Sequence, residues 1–154
     1  MTDIPALKLE NQICHSLYSA TNALIRAYRP LLDALELTYP QYLVMMALWD
    51  EDKVIIKDLV HRTRFDAGTL SPILKRLKIK ELVSIAKSPD DSRQKIVLLT
   101  TQGKSLARDA EKVPGTLRCQ IEMAPNDALQ LKALAEQLYR LVTGHQKIDN
   151  KSGE

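Results

Sequence analysis

The 154-residue chain has few cysteines, few aromatic residues and no long apolar run. Its aromatic content of 5% is too low to suggest a β-sandwich. No apolar run approaches the roughly 20 residues that span a bilayer. The N-terminus has no basic segment followed by an apolar core, so we expect no signal peptide and a cytoplasmic protein with no membrane partner. In that compartment, two cysteines 105 positions apart are not expected to form a permanent structural disulfide.

Positive charge is concentrated in the middle of the sequence. The whole chain has a formal net charge of +3, but residues 53–95 contain eleven Lys and Arg against five Asp and Glu. That region is therefore near +6 and the remainder near −3. Nucleic-acid-binding proteins concentrate positive charge in this way because their affinity comes largely from counterion release. A solvated basic face is the alternative that charge alone leaves open.

The segment 65–100 gives this charge a structural setting. Leu70, Ile73, Leu74 and Leu77 recur at helical spacing and predict one buried helical side, with short polar and basic residues on the other. Such a helix is suited to the DNA major groove. The β-branched segments 82–88 and 94–100 flank a PDDS turn and predict a hairpin. Together they predict a winged helix-turn-helix.

The rest of the chain is predicted to be helical. We expect helices over 6–28, 39–49, 55–63 and 101–113, a further short helix that carries Cys119, and a last one that begins near residue 126. Pro30 should end the first helix or start the next short turn, and the Pro114-Gly115 pair should end the helix over 101–113. The helix that contains Leu70, Leu74 and Leu77 is called the reading helix. Thr69 is its preferred N-cap, and Gly68 can take a positive φ in the preceding turn.

These elements predict a mainly α fold with a small β-wing (α+β). The predicted parts are a helical dimerisation lobe (1–35 and 114–147), a winged helix-turn-helix lobe (36–113) and a disordered tail (148–154). Apolar stripes on the terminal helices need a partner, and a second subunit would supply one. A two-fold dimer also places two reading helices about 34 Å apart, one turn of DNA. Packing of the helices within one chain is the alternative.

Several motifs resemble those of the MarR family, and more narrowly of its organic hydroperoxide resistance regulators. They are LENQICHSLYSA, RAYRPLLDALELTYPQYLVMMALW, DAGTLSPILKRL and PDDSR, in one order over about residues 9–113. The resemblance implies a homodimeric DNA-binding repressor, not an enzyme, without cofactor or metal. Such a protein binds a palindromic operator in double-stranded DNA and releases it when an organic hydroperoxide oxidises a reactive cysteine.

The resemblance also assigns the sensing residues. It places the reactive cysteine on Cys14 and its phenolic partners on Tyr28 and Tyr39, which in the family come from the opposite subunit. Tyr18, four residues after Cys14, is a further candidate on the same helix face. Only a thiolate attacks a peroxide, and phenolic O–H groups can stabilise it by donating to the sulfur. Cys119 is a candidate partner in an intersubunit disulfide, and an inert Cys119 is the alternative.

For DNA, the resemblance assigns five residues to the major groove and a wing arginine to the minor groove. Arg93 would enter the minor groove, braced by Asp91, and the narrow groove of A·T-rich tracts suits it. The sequence departs from the family pattern at Ala67, at Ser92 and at the run 79–81, where a glycine is usual before Leu82. The major-groove residues are Thr69, Ser71, Pro72, Lys75 and Arg76.

Three other functions stay open. A regulator of the same fold could respond to a small phenolic or other ligand, and Cys14 would then be dispensable. A thiol peroxidase could use Cys14 as its nucleophile, but the sequence has no Thr-x-x-Cys motif. A winged helix used only for protein contacts would bind an operator without the salt dependence of phosphate contacts.

Overall fold

The computed structural model describes residues 4–149, with side chains described as far as residue 144. The chain divides into two compact units, Met1–Leu117 and Arg118–Glu154. After two single 3-10 turns, at Pro5–Leu7 and Leu9–Asn11, seven helices and three strands follow within the described residues. They are α1 (Ile13–Asp33), α2 (Tyr39–Asp50), β1 (Val54–Ile55), α3 (Ile56–Thr63), α4 (Ala67–Ile79), β2 (Val83–Lys87), β3 (Lys95–Leu99), α5 (Thr101–Ala110), α6 (Lys112–Ile121) and α7 (Pro125–Asp149).

Helix α2 lies at the centre of the first unit. It packs against α1, α3, α4, α5 and β3, and it buries Val44, Met45 and Leu48 completely. Its start is fixed by a capping box in which the Gln41 amide N–H donates to Thr38 Oγ1 and the Thr38 N–H donates to Gln41 Oε1. Burial therefore explains most of the apolar sequence of 39–49, while Met46 stays 42% exposed.

The wing is a three-stranded antiparallel sheet in the order β1-β3-β2. Strand β2 pairs with β3 in a register that runs from Val83 opposite Leu99 to Lys87 opposite Lys95. The predicted hairpin is confirmed. Strand β1 was not predicted, because two residues are too short to show an alternating pattern. The predicted fold class, mainly helical with a small β-wing and a winged helix-turn-helix, is also confirmed.

The turn before the reading helix differs from the prediction. Asp66, not Thr69, is the N-cap of α4, and its carboxylate accepts hydrogen bonds from the Thr69 N–H at 2.7 Å and from Thr69 Oγ1 at 2.8 Å. A carboxylate at the positive end of a helix is a better cap than a neutral hydroxyl. The positive φ in this turn, 59°, belongs to Arg64, and Gly68 lies inside α4. Pro72 lies inside the helix as well.

The predictions that proline would end two helices were wrong. Helix α1 begins at Ile13 and continues through Pro30 to Asp33. Pro114 and Gly115 lie inside α6, and α5 has already ended at Ala110. Pro114 occupies the first turn of α6, where the backbone N–H has no helical acceptor and its loss costs nothing.

The predicted lobe boundaries, 1–35 with 114–147 and 36–113, remain a prediction. The predicted tail, 148–154, lies outside the described residues except for its first two positions, which end α7. Among residues 4–149, no helix combines the length and the apolar character needed to cross a bilayer.

Candidate functional site

Three tyrosines of α1 and α2 pack together and form what we call the tyrosine cluster: Tyr28, Tyr39 and Tyr42. The ring centroids of Tyr28 and Tyr39 are 4.9 Å apart with an interplanar angle of 42°, and those of Tyr28 and Tyr42 are 5.9 Å apart. The sequence predicted the roles of Tyr28 and Tyr39 but missed Tyr42. Its place three residues after Tyr39, on a neighbouring position of the same helix, is the signal that could have found it.

All three phenols of the cluster are held in the protonated form. Burial raises the pKa of Tyr28, and the nearby Tyr39 and Tyr42 raise it further. Burial likewise raises the pKa of Tyr39, and burial together with Tyr39 raises the pKa of Tyr42. At neutral pH each group therefore keeps its O–H donor, the form that can stabilise a neighbouring anion.

Cys14 lies near the opposite end of α1 from the cluster. It is the second residue of that helix, and its thiol is free and exposed. A rise of about 1.5 Å per residue puts it about 21 Å from Tyr28 along the helix axis. Within one chain, the structure therefore brings Tyr28 and Tyr39 together but does not bring Cys14 to them. Tyr18, one turn after Cys14, has 70% of its surface exposed.

An ordered apolar arm precedes Cys14. Asn11 Nδ2 donates to the Pro5 carbonyl at 2.9 Å, and Gln12 Nε2 donates to the Ala6 carbonyl at 2.7 Å. These bonds fold the two 3-10 turns back beside the start of α1 and explain the Asn-Gln of the LENQ motif. Three large apolar side chains that precede Cys14 in the sequence are exposed: Leu7, Leu9 and Ile13.

The second unit, Arg118–Glu154, contains the other cysteine and helix α7. Cys119 is free and exposed, two residues before Ile121, where α6 ends. Helix α7 exposes a stripe of large apolar side chains, and Leu129 is exposed outside it; the stripe is Leu131, Leu134, Tyr139, Leu141 and Val142. An apolar stripe of this size on a helix surface is typical of an interface with another chain.

The reading helix divides its two sides as the sequence predicted. Leu70, Leu74 and Leu77 are buried in the core. The opposite side is available to DNA, because every residue assigned to the major groove is exposed: Thr69, Ser71, Pro72, Lys75 and Arg76. The Thr69 hydroxyl is also the one that donates to the Asp66 cap. Hydrogen bonds from the Thr69 N–H and hydroxyl hold the pKa of Asp66 below its usual value.

The wing presents a cationic surface. Arg93 is 93% exposed at the tip, with its Nε 3.6 Å from Asp91 Oδ1, and its backbone N–H donates to the same oxygen at 3.0 Å. Lys87 and Lys95 stand directly opposite each other on β2 and β3, and both are exposed. Like charges in directly opposed positions destabilise a sheet. A polyanion in contact with the wing would remove that repulsion.

Two further sets of contacts stabilise the first unit, and the sequence did not predict them. Arg62 of α3 donates to the Ala47 carbonyl at 3.3 Å and pairs with Asp50 and Glu51 at the end of α2. Asp52 accepts a hydrogen bond from the Leu99 N–H at 2.8 Å and pairs with Lys104 at 3.0 Å. Burial alone would raise the pKa of Asp52, but these hydrogen bonds outweigh burial and lower it.

Metal ligands are not gathered anywhere in the part of the chain that the structure describes. No group of three or more His, Cys, Asp or Glu side chains is placed there to hold an ion.

Comparisons with known proteins agree on a regulator fold. The model of the transcriptional regulator SarA/Rot family matches residues 26–110. The organic hydroperoxide resistance transcriptional regulator of Bacillus subtilis is 37% identical over 142 residues, 92% of this chain and 95% of that protein. Reduced AbfR bound to DNA superposes with a TM-score of 0.76 at 26% identity, over 92% of this chain and 99% of AbfR. Disulfide-formed AbfR superposes with a TM-score of 0.64 at 26% identity, over 88% and 95%.

Proposed function

This chain belongs to the MarR family of winged-helix transcriptional regulators, in the group of organic hydroperoxide resistance regulators, and we propose that it is a homodimeric repressor which releases its operator when Cys14 is oxidised. Binding of DNA as a transcriptional regulator follows from the family. The dimer, the thiol signal and the residues that carry them are the proposal. The observation that carries it is the separation of the exposed Cys14 thiol from the tyrosine cluster, whose member Tyr28 lies near the opposite end of the same helix.

A two-fold dimer resolves that separation. The distance along α1 between Cys14 and Tyr28, about 21 Å, prevents a contact within one chain. Two antiparallel copies of α1 would place the start of one helix beside the far end of the other, and so Cys14 beside the partner subunit's tyrosine cluster. The same pairing covers the exposed apolar arm, and the apolar stripe of α7 provides further area.

The chemistry at Cys14 is a two-electron oxidation. The thiolate attacks one oxygen of the peroxide, the O–O bond breaks, a S–O bond forms, and the departing alkoxide takes a proton to become an alcohol. The phenolic donors stabilise the thiolate without a competing charge, and so does the positive end of α1. Leu7, Leu9 and Ile13 favour a peroxide with an alkyl chain over hydrogen peroxide. Cys119 would then displace hydroxide from the sulfenic acid to form an intersubunit disulfide.

Oxidation replaces an anion with a neutral or disulfide-bonded sulfur. The phenols then lose the acceptor that holds them, and the dimer shifts toward an arrangement whose reading helices no longer match successive major grooves. A difference of a few kcal/mol between the two arrangements is enough to release DNA. AbfR, of the same fold, is known both reduced on DNA and in a disulfide form, which supports control of this kind.

Tyr39→Phe tests the phenolic partner. A hydrogen bond to a charged group contributes about 1.5–3 kcal/mol, so at neutral pH we expect Cys14 oxidation by cumene hydroperoxide to slow by about tenfold or more. Stopped-flow measurement of thiol loss gives the two rates.

Tyr139→Phe, on α7, is the matched control for the loss of a phenol and should oxidise at the wild-type rate. An unchanged rate for Tyr39→Phe at neutral pH would remove this tyrosine from the sensor. Tyr18→Phe, tested in parallel, decides whether that exposed phenol contributes.

The opposed lysines give the wing a testable signature. Each phosphate contact contributes about 0.9 to the slope of log affinity against log salt, so replacing Lys87 and Lys95 with Gln should lower that slope by about 1.8. Thermal stability should stay the same or rise, because the variant also loses a repulsive pair. Operator titrations at several salt concentrations and a melting curve measure the two effects.

Lys112→Gln with Lys132→Gln, on α6 and α7, removes the same charge outside the wing and should leave the slope unchanged. An unaltered slope in the wing variant would show that these lysines do not meet phosphates.

A further inference from the structure

One lysine joins the end of the reading helix to the turn that carries a sensor tyrosine. Lys80 is the C-cap residue of α4, and its Nζ donates to the Glu36 carbonyl and, at 3.3 Å, to Gln41 Oε1. Glu36 and Gln41 lie on either side of Tyr39 in the sequence. The ammonium group of one half-buried lysine therefore contacts residues on both sides of Tyr39.

The groups that receive this ammonium are themselves constrained. Gln41 is only 2% exposed, and its Oε1 is shared between Lys80 and the Thr38 N–H of the capping box. Glu36 has a left-handed φ of 53°, a conformation unfavourable for a residue with a Cβ. The bond from Lys80 to the Glu36 carbonyl stabilises that conformation. Movement of the turn would break the contact, and loss of the contact would loosen the turn.

The same junction also begins the wing. Glu81 follows Lys80 with a left-handed φ of 57°, and its carbonyl accepts a hydrogen bond from Thr100 Oγ1 at 2.6 Å. Lys80 therefore contacts the turn between α1 and α2, and the next residue, Glu81, contacts Thr100 immediately after β3. At the other end of α2, the Ala47 carbonyl accepts a hydrogen bond from Arg62 of α3.

We propose that Lys80 is a positioning residue that couples the tyrosine cluster to the reading helix, so that the state of the sensor and the placement of α4 favour each other. This inference rests on the proposed redox function for its signal. Oxidation at Cys14 removes the anion that Tyr39 stabilises, the turn before α2 shifts, and the Lys80 contact transmits the shift to the end of α4. Such coupling acts in both directions, so operator binding must also tighten the turn.

The reverse direction can be tested without any peroxide. In the reduced wild-type protein, operator binding should slow hydrogen exchange of the Gln41 and Tyr42 amides, which bond to Thr38 Oγ1 and to the Thr38 carbonyl. We expect a slowing of about fivefold or more, the lower end of usual coupling between sites. Lys80→Met should bind operator and lose this protection. Lys78→Met, which removes the same charge from the same helix, should retain it.

The forward direction, from the sensor to the reading helix, is tested by the ratio of the operator Kd in the oxidised state to that in the reduced state. Lys80→Met should lower that ratio by about fivefold or more once Cys14 is fully oxidised, as counted by thiol titration, and Lys80→Arg, which can still donate to both oxygens, should restore it. Operator binding by the reduced variant and its melting curve report that it is folded. Wild-type protection at Gln41 in Lys80→Met, or an undiminished ratio, would overturn the proposal.

The two proposals fail in different ways. A wild-type protein that keeps its operator after peroxide treatment contradicts the redox function, and the exchange measurement still decides the role of Lys80. A wild-type protein that releases normally, together with a Lys80→Met variant that does the same, contradicts the coupling alone.

Discussion

Cys14→Ser is expected to abolish release of the operator by organic hydroperoxide. Binding by the reduced protein should change by no more than about twofold, as for other exposed substitutions worth about 0.5 kcal/mol. The wild-type protein should lose affinity by up to about 150-fold on oxidation. A serine hydroxyl is not oxidised by peroxides, and its oxygen can still accept hydrogen bonds from the phenols, so the variant keeps the reduced arrangement. Operator titrations before and after cumene hydroperoxide measure both affinities.

Cys119→Ser is the companion variant. It should still react at Cys14 but form no intersubunit disulfide on a non-reducing gel, and excess peroxide should carry its sulfenic acid to sulfinic acid. If Cys119 is inert, the variant should instead give the same oxidation products as the wild type.

Other outcomes for Cys14→Ser separate the remaining functions. A variant that still releases DNA on peroxide addition would contradict the thiol signal and favour a regulator of small ligands. Multiple turnovers of peroxide with a reductant, lost in Cys14→Ser, would indicate a peroxidase. A one-time reaction with one peroxide equivalent per reactive thiol is what the proposed function requires.

Sequence patterns predicted the elements whose signals are local. The apolar run of α2, the leucines of α4 and the β-branched strands of the wing each show their own period within a few residues. The boundaries were harder to predict because they depend on competition. Asp66 displaced Thr69 as the cap of α4, and Pro114 fitted a first turn instead of ending a helix. Proline restricts a helix only where the missing N–H is needed.

The candidate site shows a similar contrast between residues that local motifs predicted and contacts that they did not. Family motifs gave Tyr28 and Tyr39, and the structure shows their rings in contact. The bond from Lys80 to Gln41 spans 39 residues and that from Leu99 to Asp52 spans 47, so no local pattern announces either. Such contacts depend on how helices pack, which a single sequence does not encode as a period.

Gly103→Ala is expected to cause the largest loss of stability. A Cβ at Gly103 would lie 2.0 Å from the Leu82 carbonyl oxygen and 3.3 Å from Leu99 Cδ2. The carbonyl cannot move away easily, because it accepts the Thr100 N–H at 3.1 Å. Gly103 is held too, since its own carbonyl accepts the Trp49 indole N–H at 2.8 Å. The added methyl must therefore displace backbone between α5 and the wing.

We expect the Gly103→Ala variant to lose about 3 kcal/mol or more of unfolding free energy, above the usual range for overpacking because the obstacle is backbone. At about 2–4 °C per kcal/mol for a chain of this size, its Tm should fall by about 6–12 °C. Urea denaturation and melting curves measure the loss. Gly115→Ala makes the same change within α6, where no atom of the described residues lies within 4 Å of the new Cβ beyond its own helix and neighbours. That variant should gain up to about 1 kcal/mol from helix propensity. Equal effects in the two variants would contradict the close approach of α5 to Leu82, whereas opposite signs would place the cost in that contact.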